Sequence, residues 1–273
     1  MILGGGRFIG KALVYELCES GHRVFSYHSR SKSHRYEHVI RSSSVPVSQN
    51  MAISRNDWDC VIDFTAYNLS DTNDRLQVLN DNVGRYILIS SSWISWMELG
   101  DGRWDVIKKN DISLKYVSGK IDCEKSLLNN LNDRLVVLRF PPIIGEGDHT
   151  FRLGYWLHPR TSQVLSKNKL NAYEIQAIPL GSALAHIIQF MSKISIVNSV
   201  EHVKGVSISS RHIEECASDL GITMSSSIES RTTPENPFSY EEMVPKRSKI
   251  DLPTEYLPYI QLSRIFSSYG CMI

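Results

Sequence analysis

The stretch GGGRFIG, Gly4 to Gly10, decides how the rest of the chain is read. It follows a short apolar run, Met1, Ile2 and Leu3, and leads into KALVYELCESG. There Ala12, Leu13 and Leu17 recur at helical spacing, and Gly21 stands where a helix stops. The order is strand, glycine turn, helix. Glycines at such a turn let the backbone approach a pyrophosphate, whose charge then rests on the free amides and the positive end of the helix. A glycine-rich turn with no ligand has the same composition, so the surroundings decide.

Those surroundings alternate. HRVFSYH (His22 to His28) reads as a strand, followed by the basic loop SRSKSHR. VPVSQN (45–50) reads as a short strand, and WDCVIDFTAYN (Trp58 to Asn68) as a longer one, apolar enough to be covered on both faces. RYILISSS (Arg85 to Ser92) is another, ending in three serines. KYVSGKIDCEKSLLNNL (Lys115 to Leu131) is predicted helical, with Ile121, Leu127, Leu128 and Leu131 for its apolar stripe, and RLVVLRFPPIIG is a strand closed by prolines. Strands alternating with helices predict an α/β fold with a Rossmann-type doubly wound parallel sheet. Ligands on such sheets bind beyond the carboxyl ends of the strands, where Gly4, Ser92 and Pro141 gather. Beyond about residue 146 the pattern loosens. SALAHIIQFMSKI and RHIEECASDLGI read as helices, GVSISS as a short strand, and the tail from Thr223 as largely irregular. The expected division is a nucleotide-binding domain over 1–145 and a smaller C-terminal lobe over 146–273, with segments free to interleave.

Composition narrows the function. Thirty Lys and Arg against 29 Asp and Glu leave a formal net charge of +1, which asks for neither nucleic acid nor an anionic membrane as partner. Five cysteines, scattered and never in C-x-x-C spacing, fit a reduced cytoplasmic protein. No apolar run approaches a bilayer span, and the first residues lack a signal-peptide pattern. His149, His158 and His186 stand in no H-x-x-x-H or H-E-x-x-H spacing, and no metal site is expected.

Tyr116 and Lys120 stand four apart on the predicted helix and so share one face. An ammonium beside a tyrosine favours the phenolate and lowers a pKa that is otherwise near 10. Such a pair can move a proton, although the spacing also arises by chance. Ser90, Ser91 and Ser92 end a buried strand at the same sheet edge, where a hydroxyl can donate to an oxygen gaining charge, or simply begin a turn.

Taken together, GGGRFIG, WDCVIDFTAYN, YILISSS with YVSGK after it, and LRFPPIIGEGD resemble the short-chain dehydrogenase/reductase superfamily. The likeness is to its extended and atypical branch of NAD(P)-dependent epimerase/dehydratase proteins, and it covers roughly residues 1 to 150. Three departures stand out. Arg7 replaces the central glycine of the turn, as in a subgroup reading G-G-x-R-F-I-G; only three residues precede Gly4; and IQAIPLGSALA lacks the acidic and arginine residues often found there. The resemblance implies Ser92, Tyr116 and Lys120 as the catalytic set. It places the cofactor against Gly4, Gly6, Arg7, Phe8, Ile9 and Gly10, then Ser29 and Arg30, then Phe64, Thr65 and Ala66, with Tyr116, Lys120, Pro141 and Ile143 completing the contact. Trp93, Asp148, Arg152 and Tyr155 are the expected substrate residues.

Cofactor choice turns on the end of the second strand, where a carboxylate on the ribose 2′-hydroxyl selects NAD. The chain reads His28, Ser29, Arg30, Ser31, Lys32 there, which suits the 2′-phosphate of NADP, with NAD as the alternative. The implied activity moves a hydride between nicotinamide and a carbinol or carbonyl, as oxidoreductase, epimerase or dehydratase. Its substrate is a small molecule, by resemblance a nucleotide-linked sugar or a secondary-metabolite intermediate. The competing reading is a non-catalytic NAD(P)-binding scaffold or an RNA-associated protein of the atypical branch. The resemblance also allows a homodimer.

Overall fold

In a computed structural model of the chain, the described residues are 1–32, 34–41, 46–79, 81–100, 104, 108, 111–148, 174–192 and 198–209. Two compact units divide the chain. One takes Met1–Ser95, Lys115–Phe140 and Gly181–Val203; the other takes Trp96–Leu114, Pro141–Leu180 and Lys204–Ile273.

The first unit is built on a seven-stranded parallel sheet. Its strands are β1 (Ile2–Leu3), β2 (Phe25–His28), β3 (His38–Arg41), β4 (Val61–Asp63), β5 (Tyr86–Ser91), β6 (Leu135–Phe140) and, later in the chain, β9 (Ser199–His202). The order is β3-β2-β1-β4-β5-β6-β9. The chain therefore runs outward from β1 to one edge, then returns to lay β4 on the other side of β1. That reversal makes a crevice beyond the carboxyl ends of β1 and β4. β1 is only two residues long, yet it pairs on both sides: Leu3 stands in register with Tyr27 of β2 and with Asp63 of β4. Ile2 and Leu3 are buried, as are all six residues of β5 and of β6, the pattern of strands covered on both faces.

Six helices are described: α1 (Phe8–Glu19), α2 (Met51–Ser54), α3 (Leu69–Leu79), α4 (Ser92–Glu98), α5 (Asp111–Leu131) and α6 (Leu180–Ser192). α1 buries Leu13, Val14, Leu17 and Cys18, a helical stripe. On α5 the stripe is Cys123, Leu127 and Leu131, which join Leu3, Val61, Tyr86, Leu88, Leu135 and Val137 in one core. Ile121, expected in this stripe, is only half-buried.

One expected strand is corrected. VPVSQN contains a 3-10 turn, Val47–Gln49, followed by α2, and the strand lies upstream in HVIR as β3. The cause is Asp74 of α3. Its carboxylate accepts from the amides of Val47 and Ser48 at 2.7 and 3.0 Å and from the Ser48 hydroxyl, which withdraws those donors from any ladder.

The second unit holds a three-stranded sheet, with β8 (Glu174–Pro179) between β7 (Ile143–Ile144) and β10 (Val206–Ser209). β7 pairs with it parallel and β10 antiparallel. The predicted helix RHIEECASDLGI and the tail from Thr223 lie outside the described residues.

Candidate active site

The glycine turn sits at the carboxyl end of β1. Gly4 has φ of 97°, and its amide donates to the Tyr27 carbonyl at 3.1 Å, which ties the turn to β2. A Cβ on Gly10 would overlap the Gly4 carbonyl oxygen, so the start of α1 can close on the turn only with glycine there. Arg7, exposed and extended, precedes α1, and no side chain caps that helix or places a carboxylate in its first turn. Its amides are left for an anion. Phe8 opens the helix at φ of 37°, a left-handed conformation rare for an aromatic residue.

Behind the turn lies a buried polar group. His28 and Ser26 of β2 both meet Glu37, whose carboxylate accepts from the Ser26 hydroxyl, from the His34 amide at 3.3 Å and from His28 Nε2 at 2.8 Å. His28 Nδ1 accepts from the Arg30 amide at 3.1 Å, which assigns the ring proton to Nε2. A Cβ on Gly6 would stand 2.9 Å from His28 Nδ1, and one on Gly5 2.7 Å from Ser26 Oγ. A carboxylate thus does reach the second strand, from nine residues further on, and it is buried against Ser26, His28 and the His34 amide. Ser29, Arg30 and Lys32 are exposed.

β4 ends in Asp63, fully buried. Its carboxylate accepts from the Thr65 amide at 2.6 Å, Thr65 Oγ1 at 2.9 Å, Arg75 Nε at 2.6 Å and the Tyr86 hydroxyl at 2.6 Å. Burial pushes its pKa up, but the Arg75 guanidinium and the bonds from Tyr86 and Thr65 outweigh it and hold the carboxyl below its ordinary value. Phe64 and Thr65 abut Gly4, while Ala66 is buried.

β5 delivers the serines. Ser90 Oγ donates to Glu124 Oε1 at 2.5 Å, and Ser91 Oγ accepts from the Trp93 amide at 3.3 Å. Ser92 differs: its Oγ is buried with no hydrogen-bond partner, shared among the described residues only with Ser199 Oγ. On α5, Lys120 is buried and its Nζ donates to the Ile89 carbonyl at 2.8 Å. The ammonium lies 4.9 Å from the Tyr67 ring centroid and 6.0 Å from that of Tyr116. Burial lowers its pKa, opposed mainly by the charge of Asp63. Trp93 meets Tyr116 edge-on at 5.7 Å. One turn beyond Lys120, Glu124 pairs with Arg139 of β6 at 2.6 Å, which fastens α5 to two strands.

Pro141, Ile143 and Asp148 belong to the second unit, where all three are buried and Ile143 lies in β7. Arg152 and Tyr155 lie outside the described residues. Among the described residues no helix is long and apolar enough to cross a membrane, and no group of three or more His, Cys, Asp or Glu is placed to hold a metal.

No family model and no curated protein matches the chain. Solved structures do. A short-chain dehydrogenase/reductase from Veillonella parvula aligns over 75% of this chain and 92% of its own at 14% identity and a TM-score of 0.54. The dTDP-glucose 4,6-dehydratase of Bacillus anthracis, determined in complex with NAD, aligns over 99% and 96% at 13% identity and a TM-score of 0.66. A UDP-galactose 4-epimerase aligns over 100% and 98% at 14% identity and a TM-score of 0.60. The fold is that of the short-chain dehydrogenases/reductases.

On this short-chain dehydrogenase/reductase sheet, the first unit gathers the glycine turn, the loop after β4, Ser92 and the Tyr116–Lys120 face of α5 along the carboxyl edge. Sequence reading missed Glu37, Asp63 with Arg75, and Glu124 with Arg139. Each is a charge buried by pairing with a partner 9 to 15 residues away or on another element, and spacing carries no signal of that. The one available hint was Asp63 itself, a carboxylate inside the apolar run CVIDF.

Proposed function

We propose that the chain is an NAD(P)-dependent enzyme of the oxidoreductase, epimerase or dehydratase kind, acting on a carbinol or carbonyl carbon of a small molecule. The observation that carries this reading is the buried, unpartnered hydroxyl of Ser92, which opens α4 directly after β5, the strand whose Ile89 carbonyl holds Lys120. Buried polar groups are nearly always paired, and an unmade bond costs about 1–3 kcal/mol, so an unpartnered hydroxyl next in the chain to Trp93, whose ring meets Tyr116, supports a bound ligand as its partner.

The turn from Gly4 to Gly10 fits a dinucleotide. The uncapped amides of α1 take the pyrophosphate charge, and the absence of a Cβ at Gly10 lets helix and turn close behind it. A nicotinamide bound there would supply or accept the hydride. Tyr116 gives or takes the proton at the substrate oxygen, Ser92 donates a hydrogen bond to that oxygen as charge develops, and Lys120 favours the phenolate and holds the nicotinamide ribose. Arg30, exposed and with its amide held by His28, takes the 2′-phosphate, which makes NADP the preferred cofactor. The likeness to the dehydratase and epimerase folds supports a nucleotide-linked sugar as substrate class, with Trp93, Asp148, Arg152 and Tyr155 as its contacts.

The test is a screen of NADPH oxidation over carbonyl compounds, nucleotide-linked keto sugars included, repeated with Tyr116→Phe. Loss of about 10²-fold or more in turnover with cofactor binding retained is expected. Near-normal turnover in Tyr116→Phe sinks the mechanism.

A further inference from the structure

We infer that Asp63 and Arg75 are a positioning pair which sets the loop Phe64 to Asn68 as a spacer between the glycine turn and the Tyr116–Lys120 helix. The inference rests on the reading above, in which that edge binds the cofactor.

The loop touches both sides. Toward the turn, a Cβ on Gly4 would stand 2.7 Å from Thr65 Cγ2 and 3.2 Å from Phe64 Cβ, so these two side chains form the wall against which the turn closes. Toward α5, a Cβ on Gly119 would overlap the Tyr67 carbonyl oxygen, Cys123 Sγ donates to the Asn68 carbonyl at 3.3 Å, and the Lys120 ammonium lies over the Tyr67 ring. The thickness of five residues therefore separates the two groups that must meet one cofactor.

The pair's bonds converge on that loop. Two of the four donors to Asp63 come from Thr65, its amide and its hydroxyl. Arg75 donates to Asp63 and also to Thr65 Oγ1 at 3.0 Å and to the Asp71 carbonyl at 2.6 Å. Asp71 in turn accepts from the amides of Tyr67 and Asn68 at 2.8 and 3.2 Å, which secures the far end. A buried ion pair contributes little to stability, since apolar residues of the same volume serve as well, so its bonding pattern is the better guide to its role. Here that pattern fixes one threonine in two places.

The experiment measures NADP binding to the full chain by calorimetry, with melting of each cofactor-free variant followed by circular dichroism. Thr65→Val keeps the shape and removes only the hydroxyl. It is expected to stay folded but melt below the wild type, since Asp63 and Arg75 each lose a partner, and to bind NADP about tenfold more weakly, while Thr65→Ser retains both stability and affinity. The double change Asp63→Asn with Arg75→Met leaves neither charge alone in the core and should show the same or a larger loss of affinity. If the wild type binds NADP and both Thr65→Val and the folded double variant bind it equally well, the positioning role is overturned. A wild type that binds neither NADP nor NAD overturns the cofactor reading, and this inference with it.

Discussion

The ammonium of Lys120 donates to the backbone carbonyl of Ile89 at 2.8 Å, two residues before the end of β5. A cation is thus held in the dry interior on a neutral acceptor, with Asp63 as the foremost charge opposing its desolvation. Burial lowers the folded pKa below the unfolded value. The charged form therefore costs stability at neutral pH, and the cost is relieved only as pH rises through the lowered folded pKa toward about 10.4.

Lys120→Met should accordingly melt no lower than the wild type, and rise by about 2–4 °C for each kcal/mol relieved, while losing cofactor affinity and turnover. Thermal melts at pH 7 with a parallel cofactor titration check this. A variant that melts well below the wild type contradicts the claim that Lys120 is retained for function.

Ser92→Ala makes a related prediction with a neutral group. Removing a buried hydroxyl that has no partner relieves about 1–3 kcal/mol, so the variant should be as stable as the wild type or more so. Turnover should fall by about 10²-fold, the scale of one lost donor to a developing oxyanion. Denaturant melts and steady-state rates together decide it.

Arg30→Ala tests cofactor choice. Glu37 is buried against Ser26, His28 and the His34 amide, while the residues that directly follow β2, Ser29 to Lys32, are exposed and include no carboxylate. The variant should bind NADP about tenfold more weakly and NAD unchanged, so the ratio of dissociation constants collapses. An unchanged ratio removes Arg30 from the 2′-phosphate.

Much of this unit was legible in the sequence wherever burial is uniform. YILISS and LVVLRF, apolar on both faces, became β5 and β6, and the glycine turn and the helix carrying Tyr116 and Lys120 stand where their spacing put them. Edge strands were not legible. HVIR and SVEH stand at the two ends of the strand order among the described residues, and neither carries the long apolar run that marks β5 and β6. VPVSQN looked like a strand because its competitor, the Asp74 carboxylate, lies 27 residues from Val47. The Ser92 assignment rested on family likeness alone. What separates it from Ser90 and Ser91 in the structure is that each neighbour already has a bond.

The most direct test of the central claim is a titration of the full chain with NADPH, followed by energy transfer from tryptophan to the reduced nicotinamide. The account predicts saturable binding at one site, with a dissociation constant between about 1 μM and 1 mM, and its loss in a folded Gly10→Leu protein, where the side chain would strike the Gly4 carbonyl. No saturation in the wild type, or equal affinity in folded Gly10→Leu, contradicts it.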